Sequence, residues 1–202
     1  MDSGQSRYTR VRRDISGMRD TIHTEAEQIP VERTDMMSVE DASQLDEKNL
    51  IFSTSISSNH QGPIIQLEMR TDTPGNEDFS LGRTLFAQDH KKIPKYLFVN
   101  TGYFTTAPTG AGLGTKMFNK LSRVFQYLAR VKQSQVVHAI HPTNENNKRL
   151  YERLGYQPDN TKLYDDSGEF LIKTFQPETD TNSIYLYGDE VKLLAQLSMF
   201  YS

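Results

Sequence analysis

The fold is decided by residues 96–156, which read YLFVNTGYFTTAPTGAGLGTKMFNKLSRVFQYLARVKQSQVVHAIHPTNENNKRLYERLGY. An apolar, aromatic-rich run from Tyr96 to Val99 opens this stretch and predicts a strand that continues as far as Phe104. Pro108 ends the strand, because proline has no N–H for a sheet ladder. Beyond a glycine-rich turn, apolar residues recur every three or four positions, as on one face of a helix. They are Leu113, Met117, Leu121, Val124, Phe125 and Leu128.

A second strand and a second helix follow in the same stretch. Gln135 to Ile140 is a short apolar run, and Pro142-Thr143-Asn144 separates it from the next segment. That segment carries Leu150, Tyr151 and Leu154 at helical spacing and ends at Gly155-Tyr156. The predicted order is therefore strand, glycine turn, helix, strand, helix.

The glycine turn predicts an anion site. Gly110, Gly112 and Gly114 alternate over five residues, and glycines let the backbone approach a bulky ligand closely. The helix that follows offers unpaired N–H groups and partial positive charge at its N-terminus, which suits a phosphate. The alternative is a plain tight connection between strand and helix, and we favour the anion site.

Two familiar phosphate-binding loops do not fit the spacing. A P-loop needs a lysine directly after its last glycine and then Ser or Thr, whereas Thr115 separates Gly114 from Lys116. A dinucleotide-binding turn needs its third glycine one residue later than Gly114. We therefore exclude both motifs.

The stretch resembles the acetyl-CoA-binding core of the GNAT N-acetyltransferase superfamily. That family carries Gln/Arg-x-x-Gly-x-Gly/Ala after its fourth strand, and this chain matches it at Gly112 and Gly114, with Thr109 at the first position. A second family pattern, Asn-x-x-Ala-x-x-Leu-Tyr-x-x-x-Gly-Phe, follows the fifth strand. The matching positions here are Asn144, Leu150, Tyr151, Gly155 and Tyr156, with Asn147 in place of the alanine.

The resemblance implies a site for acetyl-CoA as co-substrate, with the acyl group between strands four and five. Backbone groups of Phe104, Thr105 and Thr106 would hold the pantetheine arm and polarise the thioester carbonyl, and Asn144 would contact the cofactor beside the thioester. The pyrophosphate would lie on the turn, formed by Thr109, Gly110, Ala111, Gly112, Leu113, Gly114 and Thr115.

The resemblance also implies that Tyr151 is the general acid. A phenol has an unperturbed pKa near 10, so it is protonated at neutral pH and can donate to the departing sulfur. The alternative is a core tyrosine on the helix face of Leu150 and Leu154.

The general base is left open by the sequence. Glu68, His138 and His141 lie in or beside predicted strands, and the two histidines lie on opposite faces because side chains alternate. A single histidine in a strand is more often structural than catalytic, and deprotonation through water needs no single residue. The sequence shows no cluster of metal ligands.

Composition limits the class of protein. The 202 residues include no cysteine, which excludes disulfides, thiolate metal sites and a cysteine nucleophile. We expect a cytoplasmic protein without membrane contact, because the sequence has no signal peptide and no apolar run long enough to cross a bilayer.

Charge is unevenly distributed along the chain. The chain has a net charge of −3, but residues 91–173 carry a balance of +7, residues 1–48 carry −4, and the remaining residues carry the other −6. A basic segment suits the phosphates of coenzyme A. It would also suit nucleic acid, but no nucleic-acid-binding motif is visible, so we do not favour that partner.

The remaining segments frame a central domain over residues 29–176. Residues 1–28 form a polar segment whose apolar residues step at helical spacing, which is compatible with an amphipathic helix. The predicted strands before the core are 30–33, 50–57, 63–71 and 79–88, and Ser38 is a predicted N-cap. Gln157 to Asn160 is predicted as a loop, and 168–175 as a closing strand. Residues 177–202 form a C-terminal extension with a short strand, 183–187, and a helix, 190–200, that packs on the domain or on a second copy.

We therefore predict an α/β (α+β) domain with a mixed, largely antiparallel sheet flanked by helices. The implied function is acetyl transfer from coenzyme A to an amine, and the acceptor, a small molecule or a protein, is not readable. The alternatives are a GNAT-like binding or interaction module without catalysis, and a nucleic-acid-binding domain. The sequence leaves open a homodimer.

Overall fold

The computed structural model describes residues 37–59, 62–72, 80–88, 93, 95–164, 167–177 and 185–201. The predicted amphipathic segment 1–28 and the predicted strand 30–33 lie outside these residues. Described helices are α1 (Val39–Gln44), α2 (Leu113–Lys132), α3 (Glu145–Arg153) and α4 (Gly188–Phe200), with a 3₁₀ turn at Glu47–Asn49. Described strands are β1 (Leu50–Asn59), β2 (Gly62–Thr71), β3 (Ser80–Gln88), β4 (Tyr96–Thr106), β5 (Gln135–Ile140), β6 (Gln157–Pro158) and β7 (Leu171–Phe175).

The described strands form one sheet in the order β1-β2-β3-β4-β5-β7-β6. Neighbouring strands are antiparallel except β4 and β5, which are parallel. A parallel pair needs a long crossover, and α2 supplies it, because it starts after β4 and ends just before β5. The predicted fold class, a mixed and largely antiparallel sheet flanked by helices, is confirmed.

The main core lies between one face of the sheet and α2. The apolar residues that predict the helix are buried in it, as the helical spacing requires, and they include Leu113, Met117, Leu121, Val124, Phe125 and Leu128. A smaller cluster lies on the opposite face, where Tyr164 and Phe170 pack against Phe98 of β4 and Val137 of β5. Both faces of the sheet are therefore apolar where β4 and β5 pair.

Helix α1 begins as its sequence predicts. The side chain of Ser38 accepts a hydrogen bond from the Asp41 N–H at 3.1 Å, which satisfies one of the free donors of the first turn. Leu45 packs on the main core.

Helix α4 is part of this core. Its residues Leu193 and Leu197 are buried, and the helix packs against α2 and β1. The Asp189 carboxylate accepts the Phe52 N–H of β1 at 2.8 Å, and the Tyr201 hydroxyl donates to the Phe98 carbonyl of β4 at 2.6 Å. The helix thus crosses the sheet from β1 to β4 and is fixed at both ends.

Acidic residues at the start of α4 pair with basic residues of α2. The ammonium group of Lys120, fully buried, lies 2.9 Å from Asp189 and donates to the Leu50 carbonyl at 2.5 Å. Arg123 binds Glu190 and Glu47, each at 2.7 Å. Part of the positive balance of residues 91–173 is therefore neutralised inside the domain.

Two predicted elements differ from the structure. Gln157–Pro158, predicted as part of a loop, forms the two-residue strand β6 because it pairs with Leu171 and Ile172 of β7. The predicted strand 183–187 is wrong over its described residues, 185–187, which are not extended into any sheet. There the Tyr187 N–H donates to the Glu190 carboxylate at 2.9 Å, so the residue serves as the N-cap of α4. The division of the chain into three segments stays a prediction.

No helix in the described part of the chain combines the length and the apolar character needed to cross a bilayer.

Candidate functional site

The candidate site begins where β4 and β5 part. Their parallel pairing runs from Tyr96–Gln135 to Thr101–Ile140, and β5 ends there. Strand β4 continues for five more residues, from Gly102 to Thr106, and this part of it pairs with β3. Among the described residues, no strand occupies the other edge of this segment. The backbone groups on that edge are available to a ligand.

A bulge marks the start of the open edge. Phe86 of β3 pairs with Thr101 and Leu85 pairs with Tyr103, so Gly102 is the extra residue on β4. The bulge shifts the alternation of side chains by one residue. As a result, Thr101 and Phe104 both face α2, although three positions separate them.

Of the predicted pantetheine-binding residues, Phe104 offers only its backbone. Its ring packs on Phe118 of α2, with 4.7 Å between centroids. Thr105 and Thr106 follow it on the open edge and are half-buried. The structure thus brings all three predicted residues to the open edge of β4.

The glycine turn joins this edge to α2. Gly110 and Gly112 have φ of +88° and +72°, a backbone region that favours glycine. Gly112 is the N-cap of α2 and supplies no side-chain cap. The first helical hydrogen bond runs from the Lys116 N–H to the Gly112 carbonyl, which leaves the N–H groups of the first helical turn without an intrahelical acceptor. They point out of the helix end, where an anion would be stabilised.

The third glycine has a different role. A Cβ on Gly114 would lie 3.3 Å from a Leu150 methyl group and 3.6 Å from the Phe104 ring, whereas a Cβ on Gly110 or Gly112 would meet no atom of the described residues within 4 Å. Gly114 therefore allows α2, α3 and β4 to pack closely. The space beside Gly110 and Gly112 is open to a ligand.

The remaining turn residues divide by burial. Ala111 and Leu113 are buried in the core, so they can offer a ligand only their backbone. Thr109 and Thr115 are exposed on either side of the turn.

One of the basic side chains near the turn is hydrogen-bonded to another part of the protein. The Lys116 ammonium donates to the Ser43 carbonyl of α1 at 2.9 Å and lies 3.5 Å from the Ala42 carbonyl. It stabilises the C-terminal end of α1, as a cation does at a helix C-terminus. Arg149 of α3 is exposed and Lys148 is half-buried.

Tyr151 of α3 lies in an aromatic cluster behind the open edge. It is 3% exposed, and its ring centroid lies 5.4 Å from Phe118, 6.0 Å from Tyr156 and 6.5 Å from Phe104. The structure therefore places the predicted acid next to the predicted pantetheine edge. It also gives the ring the packing that the alternative, a core tyrosine, requires.

Asn144 is the N-cap of α3. Its side-chain oxygen accepts the Asn147 N–H at 2.9 Å, so one face of its amide is used by the helix. Asn147, which stands where the family has alanine, donates to the Thr143 hydroxyl at 2.8 Å. The contact of Asn144 with a cofactor stays a prediction.

Glu68 is poorly placed as a general base. Its carboxylate accepts hydrogen bonds from both guanidinium groups of Arg70 and Arg83 at 2.8–3.2 Å. Burial by itself raises the pKa of Glu68, but hydrogen bonds from Ser80, Arg70 and Arg83 outweigh it and hold the pKa below its usual value. The carboxylate therefore stays ionised, and its oxygens are engaged.

His138 is also unsuited to act as a base. It is fully buried, its Nε2 lies 2.6 Å from the Thr101 hydroxyl, and its Nδ1 lies 2.5 Å from the Tyr156 hydroxyl. Burial lowers the pKa of His138 to about 3, and the positive charge of Lys173 adds to the effect. Both ring nitrogens are used inside the core. A search for motifs does not identify these two hydroxyls as partners of His138. The one available signal is that Tyr156 stands where the GNAT pattern has phenylalanine.

His141 is more accessible than His138. It directly follows the last residue of β5, and its Nε2 lies 3.3 Å from the Glu169 carboxylate. Its side chain is 19% exposed. A carboxylate can orient an imidazole for proton transfer. No group of three or more metal-binding side chains occurs in the part of the chain that the structure describes.

Comparison with known proteins gives likeness of structure only. Neither a protein-family model nor a curated protein matches the chain. It is similar to a variant of the toxin AtaT bound to the C-terminus of the antitoxin AtaR and acetyl-CoA, with 16% identity and a TM-score of 0.43. That match covers 55% of this chain and 68% of the other.

Two further structures are similar to the chain. AtaTR bound with acetyl-CoA is 16% identical with a TM-score of 0.42, and the match covers 55% of this chain and 67% of that one. Mutant forms of the spermidine/spermine N-acetyltransferase SpeG from Vibrio cholerae are 11% identical with a TM-score of 0.38, over 63% of this chain and 92% of SpeG. At these values the likeness says nothing of this chain's substrate, which has to be judged from its own residues.

Proposed function

We propose that this protein transfers an acetyl group from acetyl-CoA to an amine. The observation that carries the proposal is the open edge of β4, Gly102 to Thr106, which leads through the glycine turn to the N-terminus of α2. An extended arm with amide groups can hydrogen-bond to such an edge as an added strand would. A phosphate suits the free N–H groups of the helix end. Pantetheine and pyrophosphate offer these two chemistries in the same order.

Acetyl transfer involves three changes in bonding. The amine loses a proton, its nitrogen forms a bond to the acetyl carbon, and the bond from that carbon to sulfur breaks. N–H groups on the open edge of β4 are suited to stabilise the charge on the carbonyl oxygen. Tyr151, adjacent to that edge, is the proposed donor of a proton to the leaving thiolate.

His141 is the proposed base. Of the three candidates that the sequence offers, Glu68 is held by two arginines and His138 is buried with both nitrogens engaged. His141 lies at the end of β5, where β5 leaves β4, and has Glu169 to orient it. It is on the opposite side of the sheet from Tyr151, because Ile140 before it faces the core with α2. Acid and base would then approach the thioester from opposite faces.

One observation favours the non-catalytic alternative. Tyr151 is 3% exposed and packed against two aromatic rings of the core. A tyrosine so enclosed also makes sense as a packing residue, and the chain would then bind coenzyme A without turnover.

The test is release of free thiol from acetyl-CoA in the presence of amines. The chain has no cysteine, so a thiol reagent detects only the coenzyme A that is formed. The proposed panel contains a polyamine, an aminoglycoside, and peptides with a free N-terminus or a lysine. Amine-dependent thiol release would support transfer. Saturable binding of acetyl-CoA with no release by any amine would favour the non-catalytic alternative, and no binding would reject both acetyl transfer and coenzyme A binding.

A further inference from the structure

A line of hydrogen-bonded polar side chains crosses the aromatic core beneath the candidate site. Thr101 of β4 contacts Nε2 of His138 on β5 at 2.6 Å, and Tyr156 contacts Nδ1 at 2.5 Å. All three residues are buried, at 5%, 0% and 2% exposure. Around them lie the rings of Phe86, Phe118 and Phe125, each within 6.3 Å of the imidazole centroid. If these three residues only filled space in the core, apolar side chains would do so equally well.

The contacts join the two parts of the proposed site. Thr101 is the last residue of β4 that pairs with β5, and the bulge residue Gly102 follows it. Tyr156 lies three residues after the end of α3, the helix that carries Tyr151, and the centroids of the two tyrosine rings lie 6.0 Å apart. His138 pairs with Val99 in the sheet and reaches diagonally to Thr101. It therefore links the start of the open edge to the segment that holds the proposed acid.

The contacts suit a neutral imidazole. A neutral imidazole donates through one nitrogen and accepts through the other, and each hydroxyl can do either. Burial raises the pKa of Tyr156 well above its usual value, so the phenol stays protonated and can donate to His138. A buried polar group that loses its partner is destabilised, because no water replaces the bond. The geometry of the line is therefore tightly held.

We propose that His138 is a positioning residue, which through Thr101 and Tyr156 sets where β4 leaves β5 and how Tyr151 lies against that edge. The inference rests on the proposed function. It assigns the imidazole no contact with substrate. It predicts that removing either hydroxyl partner alters the open edge of β4, although Thr101 and Tyr156 are both buried in the core.

The experiment removes one hydrogen bond at a time. Thr101→Val and Tyr156→Phe keep the shape of the side chains and delete one hydroxyl each. Thr71→Val is the matched control, because Thr71 is a buried threonine (2% exposed) on β2, two strands away from β4. Amide hydrogen exchange of the free proteins is compared at Gly102 to Thr106. We expect both test variants to speed this exchange by roughly 2- to 10-fold, the effect of one hydrogen bond of ordinary net strength, and the control to leave it unchanged.

The second readout is kinetic and depends on activity. We expect both test variants to lower kcat by about 10- to 100-fold, as small misplacements of reacting groups do, with a smaller change in the KM for acetyl-CoA. The nitrogen chemical shifts of His138 should change in both variants and stay the same in the control.

The outcomes separate the two ideas. If the parent neither binds nor turns over acetyl-CoA, the proposed function fails and the catalytic part of the inference fails with it, while the exchange data still report whether His138 holds the edge. If the parent is active and both variants match Thr71→Val in exchange and in kcat, the line of polar groups is merely structural and the inference is wrong.

Discussion

The charge at Gly112 gives the sharpest test of the proposed phosphate site. Gly112 is exposed and has a φ of +72°, and no atom in the described part of the chain lies within 4 Å of the position a Cβ would take. Gly112→Asp therefore adds a carboxylate at the N-terminus of α2 without a steric clash. Aspartate and asparagine tolerate this backbone region better than other residues do, so the fold should survive either substitution.

The size of the effect follows from Coulomb's law. Two unit charges ~4 Å apart repel by ~4 kcal/mol at an effective dielectric constant of ~20. Because Gly112 is exposed, salt screens part of this repulsion. We expect the affinity for acetyl-CoA to fall by about one to three orders of magnitude, since each factor of ten corresponds to about 1.4 kcal/mol.

Gly112→Asn is the matched control. It has nearly the same shape and the same cost in backbone conformation, but it carries no charge. Calorimetric titration of acetyl-CoA into both variants, at low and at physiological salt, isolates the charge. We expect Gly112→Asn to bind within a few-fold of the parent and the gap between the variants to narrow with salt. Equal affinities for the aspartate and asparagine variants would refute the phosphate site at this helix end.

Four further predictions test the rest of the account. Tyr151→Phe should lower turnover by about 10²–10⁴-fold and leave acetyl-CoA affinity unchanged; equal turnover would reject Tyr151 as the acid. His141→Gln should lower turnover in the same range, with Glu169→Gln having a weaker effect, and an unchanged rate in both would remove the proposed base. Lys120→Met should lower the free energy of unfolding by ~3–5 kcal/mol, the usual result of breaking a buried ion pair, because it leaves Asp189 and the Leu50 carbonyl without this partner. The control Lys116→Met loses only contacts at the end of α1 and should lower the free energy of unfolding by less than ~1 kcal/mol. Similar values for both variants in urea denaturation would contradict the role of α4 in the core. Finally, the pKa of His138 is about 3 in the folded protein and near 6.5 when unfolded, so the unfolded chain binds the proton more readily. The free energy of unfolding should therefore fall by up to ~1.4 kcal/mol for each pH unit below pH ~6.5. Urea denaturation between pH 4 and 7 should show this contribution to the pH dependence in the parent and its loss in His138→Gln.

Local signals in the sequence account for the part of the fold that could be predicted. The strand β4, the glycine turn and α2 are encoded within neighbouring residues by apolar period, by Pro108 and by Gly112, so their order and type follow from the sequence. The hairpin of β1 and β2 is equally local. The short strand β6 is different, because Gln157–Pro158 becomes extended only by pairing with β7, and nothing within the two residues signals it.

Long-range pairing explains what the sequence did not reveal. Lys120 and Asp189 are 69 positions apart, and neither carries a local sign of its partner, yet together they fix α4 to β1. The different roles of the glycines cannot be read from the motif either. Only the packing of Leu150 and Phe104 shows that Gly114 allows α2, α3 and β4 to approach closely. In the same way, Thr101 and Tyr156 become partners of His138 only through the sheet and the end of α3.

The central claim is that acetyl-CoA lies along the open edge of β4 and against the start of α2. The most direct measurement is a titration of acetyl-CoA into isotope-labelled protein, followed through the backbone amide signals. We predict saturable one-to-one binding, with the largest shifts at Gly102 to Thr106 and at Gly110 to Thr115. Absence of saturable binding, or shifts confined to residues away from both segments, would contradict it.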